Sequence, residues 1–166
     1  MTTLAELLRP GLRAVCVGIN PSPVSVAAGH YYQGKLGKRF WRRLEQAGVV
    51  GPLRDGCEDE EALVDGIGFA DLVRYPTANA RAIGMSELRE AARDLERRLA
   101  ATGCRRVLFV FRKAWHAAGP YLEARGYQVH RMPSPFAAKA EVVEELAKLK
   151  EALGAPGPRA HEGAES

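Results

Sequence analysis

The sequence predicts an α/β protein of three layers, with a central, mainly parallel four-stranded sheet between two layers of helices. Two observations carry that expectation. Four short apolar runs rich in β-formers recur along the chain, at 14–19, 67–73, 107–111 and 127–132. Between them, apolar residues return at helical spacing. Strands that alternate with helices run parallel and bury both sheet faces, which fits the nearly continuous apolar character of the runs at 14–19 and 107–111. The 166 residues, 46% hydrophobic and 27% charged, suit one compact domain.

In chain order, Leu4, Leu7 and Leu8 mark one face of a short opening helix, which Pro10-Gly11 ends. Ala14 to Ile19 is a buried strand closed by Asn20-Pro21. Phe40, Trp41, Leu44 and Ala47 follow at helical spacing up to Gly48, and the second strand lies near Ile67 to Val73. Leu88, Ala91, Ala92, Leu95 and Leu99 make a strong helix, with Ser86 as its N-cap and Gly103 as its stop. Val107 to Phe111 is the clearest strand; a helix around Trp115 follows, interrupted at Gly119-Pro120. Tyr127 to Met132 is the last strand, and Val142, Leu146, Leu149 and Leu153 close the domain at residue 153. The tail 154–166, GAPGPRAHEGAES, has the composition of a disordered segment.

No apolar run approaches the roughly 20 residues needed to span a bilayer. The opening residues lack the apolar core of a secretion signal, so a cytoplasmic protein is expected. Cys16, Cys57 and Cys104 are odd in number with no C-x-x-C pair, which predicts neither a disulfide framework nor a cysteine metal site. Glu151, Glu162 and Glu165 outweigh Arg159 at the C-terminus, so the net charge of +4 resides in a more basic body. That balance points to an anionic partner such as nucleic acid.

In a parallel sheet of this kind, ligands bind beyond the carboxyl ends of the strands. Three segments converge there: Asn20-Pro21-Ser22, the stretch just after Phe69, and Pro133-Ser134-Pro135. The run Gly29 to Lys35 has the G-x-x-x-x-G-K spacing of a phosphate loop. It lacks the following Ser or Thr and does not leave a strand, so an NTP site is not expected. Lys35, Lys38, Arg39, Arg42 and Arg43 form the best basic cluster, either a phosphate grip or a solvated helix face.

Several of these residues together carry a resemblance. Gly18-Ile19-Asn20-Pro21, Gly29-His30-Tyr31-Tyr32, Lys38-Arg39-Phe40-Trp41, Gly68-Phe69-Ala70-Asp71-Leu72-Val73 and Met132-Pro133-Ser134-Pro135 occur in this order across residues 13–150. The set resembles the mismatch-specific uracil/thymine DNA glycosylases of the uracil-DNA glycosylase superfamily. The resemblance implies a monofunctional enzyme that hydrolyses the N-glycosidic bond of uracil in DNA, foremost in G·U mispairs, and leaves an abasic site. It implies no cofactor or metal, and a monomer whose partner is double-stranded DNA with uracil or a mismatched base. Another damaged base such as hypoxanthine, or a non-catalytic nucleic-acid-binding domain, are the alternatives.

The resemblance assigns roles residue by residue. Asn20 would position the attacking water and Asp71 would accept its proton, although Asp71 could equally be a capping aspartate. Ile19, Ser22, His30 and Tyr32 would line the base site. Tyr32 would stack on the extruded base, or else be an ordinary loop aromatic. Phe40 and Trp41 are expected in the core. Ser134 would bind a phosphate; from the charge pattern rather than the resemblance, Lys35, Lys38 and Arg39, with Lys139 beyond the loop, are the further candidates for DNA contact. Phe136 would be a wedge in the minor groove, or alternatively a core anchor of its loop. Three positions depart from the family pattern: Ser22 replaces a glycine, Met132 stands where the most active uracil enzymes have histidine, and Ala137-Ala138 replaces an arginine region.

Overall fold

The computed structural model describes residues 3–158. Four strands, β1 (Ala14–Gly18), β2 (Ile67–Asp71), β3 (Arg106–Phe109) and β4 (Gln128–Arg131), form one sheet in the order β2-β1-β3-β4, parallel at every pairing. The helices are α1 (Pro23–Ala28), α2 (Lys35–Gln46), α3 (Glu58–Val64), α4 (Met85–Ala100), α5 (Arg112–Ala124) and α6 (Lys139–Leu153). This is the expected three-layer α/β/α arrangement.

Strand alternation divides the core in two. Ala14, Cys16, Ile67, Phe69 and Leu108 face α2, α3 and α6, where they meet Phe40, Trp41, Leu44, Ala62, Leu146 and Leu149. Val15, Val17, Ala70, Val107 and Phe109 face α4 and α5, against Leu88, Leu95, Leu99, Ala114, Ala118 and Leu122. Around β1 and β2 both faces of the sheet are covered, so every strand position there is buried, whereas the edge strand β4 leaves Gln128 and Arg131 exposed. The register pairs Gly18 with Asp71, which sets the carboxyl ends of β1 and β2 side by side. Pairing reaches past the strands: Leu72 N–H donates to the Gly18 carbonyl at 3.1 Å, and Val73 N–H to that of Ile19 at 2.9 Å.

The opening helix expected at Leu4–Leu8 does not form. Leu7 instead exchanges two backbone hydrogen bonds with Phe69, at 2.9 and 3.0 Å, as an antiparallel bridge. A helix of two turns is marginal by itself, whereas the outer edge of β2 offers unpaired donors and acceptors. Gly68 permits the approach, because a side chain there would meet the Leu7 carbonyl oxygen and Leu12 Cδ1 at 2.6 Å.

Other boundaries differ more mildly. α5 runs straight through Gly119-Pro120, since Pro120 removes one backbone bond while Ala114, Ala117, Ala118 and Leu122 remain buried against the core. α4 starts two residues early, with Gly84 rather than Ser86 at its N-cap. α1 and α3 escape the periodicity reading because six and seven residues are too few to show a face. Residues 154–158 have no regular structure; the remainder of the expected disordered tail lies outside the described residues.

Candidate active site

A pocket of about 400 Å³ opens at the carboxyl ends of the strands. Its wall combines Asn20, Pro21 and Ser22 from the turn after β1, Asp71 from β2, and Val110 and Phe111 from the turn after β3. Met132, Pro133 and Pro135 come from the segment after β4; Tyr31, Tyr32, Lys35, Leu36, Arg39 and Phe40 come from the loop before α2 and the helix itself. The three segments picked from the sequence thus share one cavity. The Gly29–Lys35 run joins α1 to α2 instead of leaving a strand, so it builds a pocket wall, not a phosphate cradle.

Asp71 is buried, 6% exposed. Loss of hydration pushes its carboxyl up to about 7, the nearby Glu6 adds to the rise, and Arg98 and Arg74 oppose it. Gly18 makes room for it: a Cβ at Gly18 would collide with Asp71 Oδ1 and crowd the Tyr32 hydroxyl at 3.1 Å. Asp71 caps no helix. Asn20 is oriented by its amide nitrogen, which donates to the Tyr75 carbonyl at 3.0 Å and to Thr77 Oγ1 at 2.9 Å. Both donors face a partner, so the amide oxygen is the end left to accept a hydrogen bond.

Tyr32 is the single non-glycine residue with positive φ, at 52°, among the described residues. Its carbonyl accepts the Trp41 indole N–H at 3.0 Å, and Gly37 lets α2 pack directly on that peptide, where any Cβ would clash. The ring lies within 4.7 Å of Phe40 and 5.7 Å of Trp41, centroid to centroid. Its hydroxyl is buried with no hydrogen-bond partner, and burial raises its pKa well above the ordinary value. Phe40 and Trp41 are core residues, as expected, at 7% and 2% exposure.

Ser22 lines the pocket and also explains why it can replace glycine: its hydroxyl caps α1 by accepting the Ser25 N–H at 3.2 Å. His30 is not part of the pocket wall. Its Nδ1 pairs with Asp59 Oδ1 at 2.8 Å, while Asp59 Oδ2 accepts the Tyr31 N–H at 2.8 Å. Ile19 is buried in the α4–α5 core and is likewise absent from the wall.

The basic residues divide. Lys35 lines the pocket and Lys38 lies outside its wall. Arg39 donates to the Pro135 carbonyl at 3.1 Å, and Arg43 to those of Pro133 and Ser134 at 3.0 Å each. These two arginines therefore brace the loop after β4. At the loop tip, Phe136 is 91% exposed, so it is not a core anchor. The Ser134 hydroxyl accepts the Phe136 N–H at 3.2 Å. Lys139 opens α6 and borders a separate groove between α2 and α6.

The sequence reading missed Asp59, which lies in the acidic run Glu58–Glu61 where nothing distinguishes a buried carboxylate from solvated ones. It also missed Phe111, read there as a strand end, and Thr77, whose hydroxyl holds Asn20 from 57 residues away.

AF0587, crystallised as a protein of unknown function, is similar over 92% of this chain and 48% of its own, with a TM-score of 0.47 and 14% identity. This chain spans about half the length of that protein. The family model described as the Uracil DNA glycosylase superfamily matches residues 5–153, which takes in all four strands and every residue of the pocket wall except Leu4. The chain belongs to the uracil-DNA glycosylase superfamily.

Proposed function

We propose that the protein is a monofunctional DNA glycosylase that releases uracil, foremost from G·U mispairs, in the manner of the mismatch-specific branch of its superfamily. The observation that carries this reading is Asp71: a buried carboxyl with a pKa of about 7, in the same pocket wall as Asn20. A general base works best when its pKa lies near the working pH, and burial here supplies that match.

In the proposed reaction, water attacks C1′ of the extruded deoxynucleotide. The C1′–N1 bond breaks, and its electron pair leaves with the uracil ring as an anion. Asp71 takes the proton of the water, while the Asn20 amide oxygen accepts a hydrogen bond from it and fixes its approach. Stabilising charge separation in a site with little water lowers the barrier without covalent catalysis. The Tyr32 ring and Phe40 provide an aromatic wall for the base, with Lys35 at the mouth near the phosphates. Phe136 fills the gap left in the duplex. No lysine is assigned to a Schiff base, so the product is an intact abasic strand.

The test is alkali-revealed strand cleavage after incubation with duplexes carrying U, T, hypoxanthine or ethenocytosine opposite each normal base. Uracil opposite G is expected to react fastest. Asp71→Asn and Asn20→Ala should each slow single-turnover release by about 10²–10⁴-fold while DNA binding persists. Inactivity on every duplex would overturn the enzyme reading, and hypoxanthine as the best substrate would overturn the uracil assignment.

A further inference from the structure

The N-terminal segment carries a carboxylate into the neighbourhood of the proposed base. Glu6 forms an ion pair with Arg98 of α4, and both side chains are only 15% exposed. The same guanidinium donates to the Asp71 carbonyl at 3.1 Å and to the Leu72 carbonyl at 3.3 Å. Arg74, just past β2, lies 3.6 Å from the other Glu6 oxygen, and Thr3 Oγ1 donates to the Arg74 carbonyl. Leu4 from this segment lines the pocket. A stretch with no helix of its own is thus fastened at the end of β2 through Arg98, which also holds the main-chain carbonyls of Asp71 and Leu72, and through Arg74.

We propose that Glu6, held by Arg98 and Arg74, is a positioning residue for the Asp71 carboxyl, which makes the N-terminal segment part of the reaction centre. The inference rests on Asp71 being the base of the proposed reaction. Glu6 carries a second negative charge close to Asp71 in a poorly hydrated region, where charges interact strongly. The groups facing Asp71 are Glu6 from the N-terminal segment, Arg74 from the loop past β2, Arg98 from α4, and Tyr31 and Tyr32 from the aromatic loop. The Glu6 anion disfavours ionisation of Asp71, whereas Arg98 and Arg74 favour it. The segment therefore keeps the carboxyl protonated to higher pH than the arginines alone would allow.

Two kinds of measurement test this. In pH profiles of single-turnover uracil release, the wild-type rate should rise through an acidic limb that Asp71→Asn abolishes. Glu6→Gln should move that limb to lower pH, Arg74→Met should move it to higher pH, and Glu6→Asp should return it towards the wild-type position. A carboxyl-carbon NMR titration of Asp71 in the free protein should show the same opposite displacements. Displacements in one direction for both variants, or no displacement by Glu6→Gln in a folded protein, would overturn the proposal. If Glu6→Gln does not fold, the Asp71 titration in Glu6→Asp decides: withdrawing the charge by one methylene should displace it slightly to lower pH, and no displacement or one to higher pH would overturn the proposal. Loss of the base reading alone shows differently: Asp71→Asn stays active, while the NMR titration still reports on Glu6.

Discussion

A carboxyl that titrates at about 7 when folded, and near 3.9 when unfolded, couples Asp71 to stability as well as to chemistry. Between roughly pH 4 and pH 7 the folded chain keeps a proton that the unfolded chain has released. Stability attributable to this group therefore falls as pH rises through that window, and is flat above it. Asp71→Asn removes the coupling, so the variant should gain most at pH 8 and least at pH 4.5. The ceiling is about 4 kcal/mol, from 1.36 kcal/mol per pKa unit. Urea melts at the two pH values check this; a variant less stable than wild type at pH 8 would contradict it. Asn20 was legible because it closes the apolar run of β1, where strand ends gather ligands, whereas Asp71 lies inside the expected run 67–73 and was singled out through the family resemblance. Their environment was not legible. The Glu6–Arg98 contact joins residues 92 positions apart and the Arg98–Asp71 contact spans 27, and no local pattern announces such pairs.

Among the elements, the loop after β4 invites the sharpest experiment. Phe136 is 91% exposed, so truncating it to alanine leaves no cavity and should change stability by no more than surface substitutions do, about 0.5 kcal/mol, with little movement of the melting midpoint. Excision from duplex DNA should nonetheless slow, and less so on single-stranded substrate, where unstacking is already complete. A drop of several degrees in midpoint would instead mean that the ring packs in the folded protein. The long helices α2, α4 and α6 were readable, because each repeats its apolar residues over three turns or more. The N-terminal segment was misread, since Leu4, Leu7 and Leu8 fit a helical face equally well as a strip laid on a sheet edge. Tertiary pairing with Phe69 decided between them, and that partner lies 62 residues on.

For the whole molecule, no helix among the described residues is long and apolar enough to cross a membrane. The net charge of +4 favours association with a polyanion. Duplex binding should weaken with salt at a log–log slope near −0.9 for each phosphate neutralised, with about 3–6 contacts for this footprint. Affinity that is unchanged between low and physiological ionic strength would argue against duplex DNA as partner. The count of cations overstates the slope, because Arg39 and Arg43 already spend donors on the carbonyls of Pro133, Ser134 and Pro135. That bracing has a kinetic consequence. Two arginines rooted in α2 hold the proline loop in place in the free protein, so ordering it belongs to folding and adds little to the entropy lost on encounter. The slow event on meeting a lesion should then be the spontaneous opening of the base pair, and the lifetime of that opening, set by the DNA sequence around it, should govern how often a passing molecule succeeds.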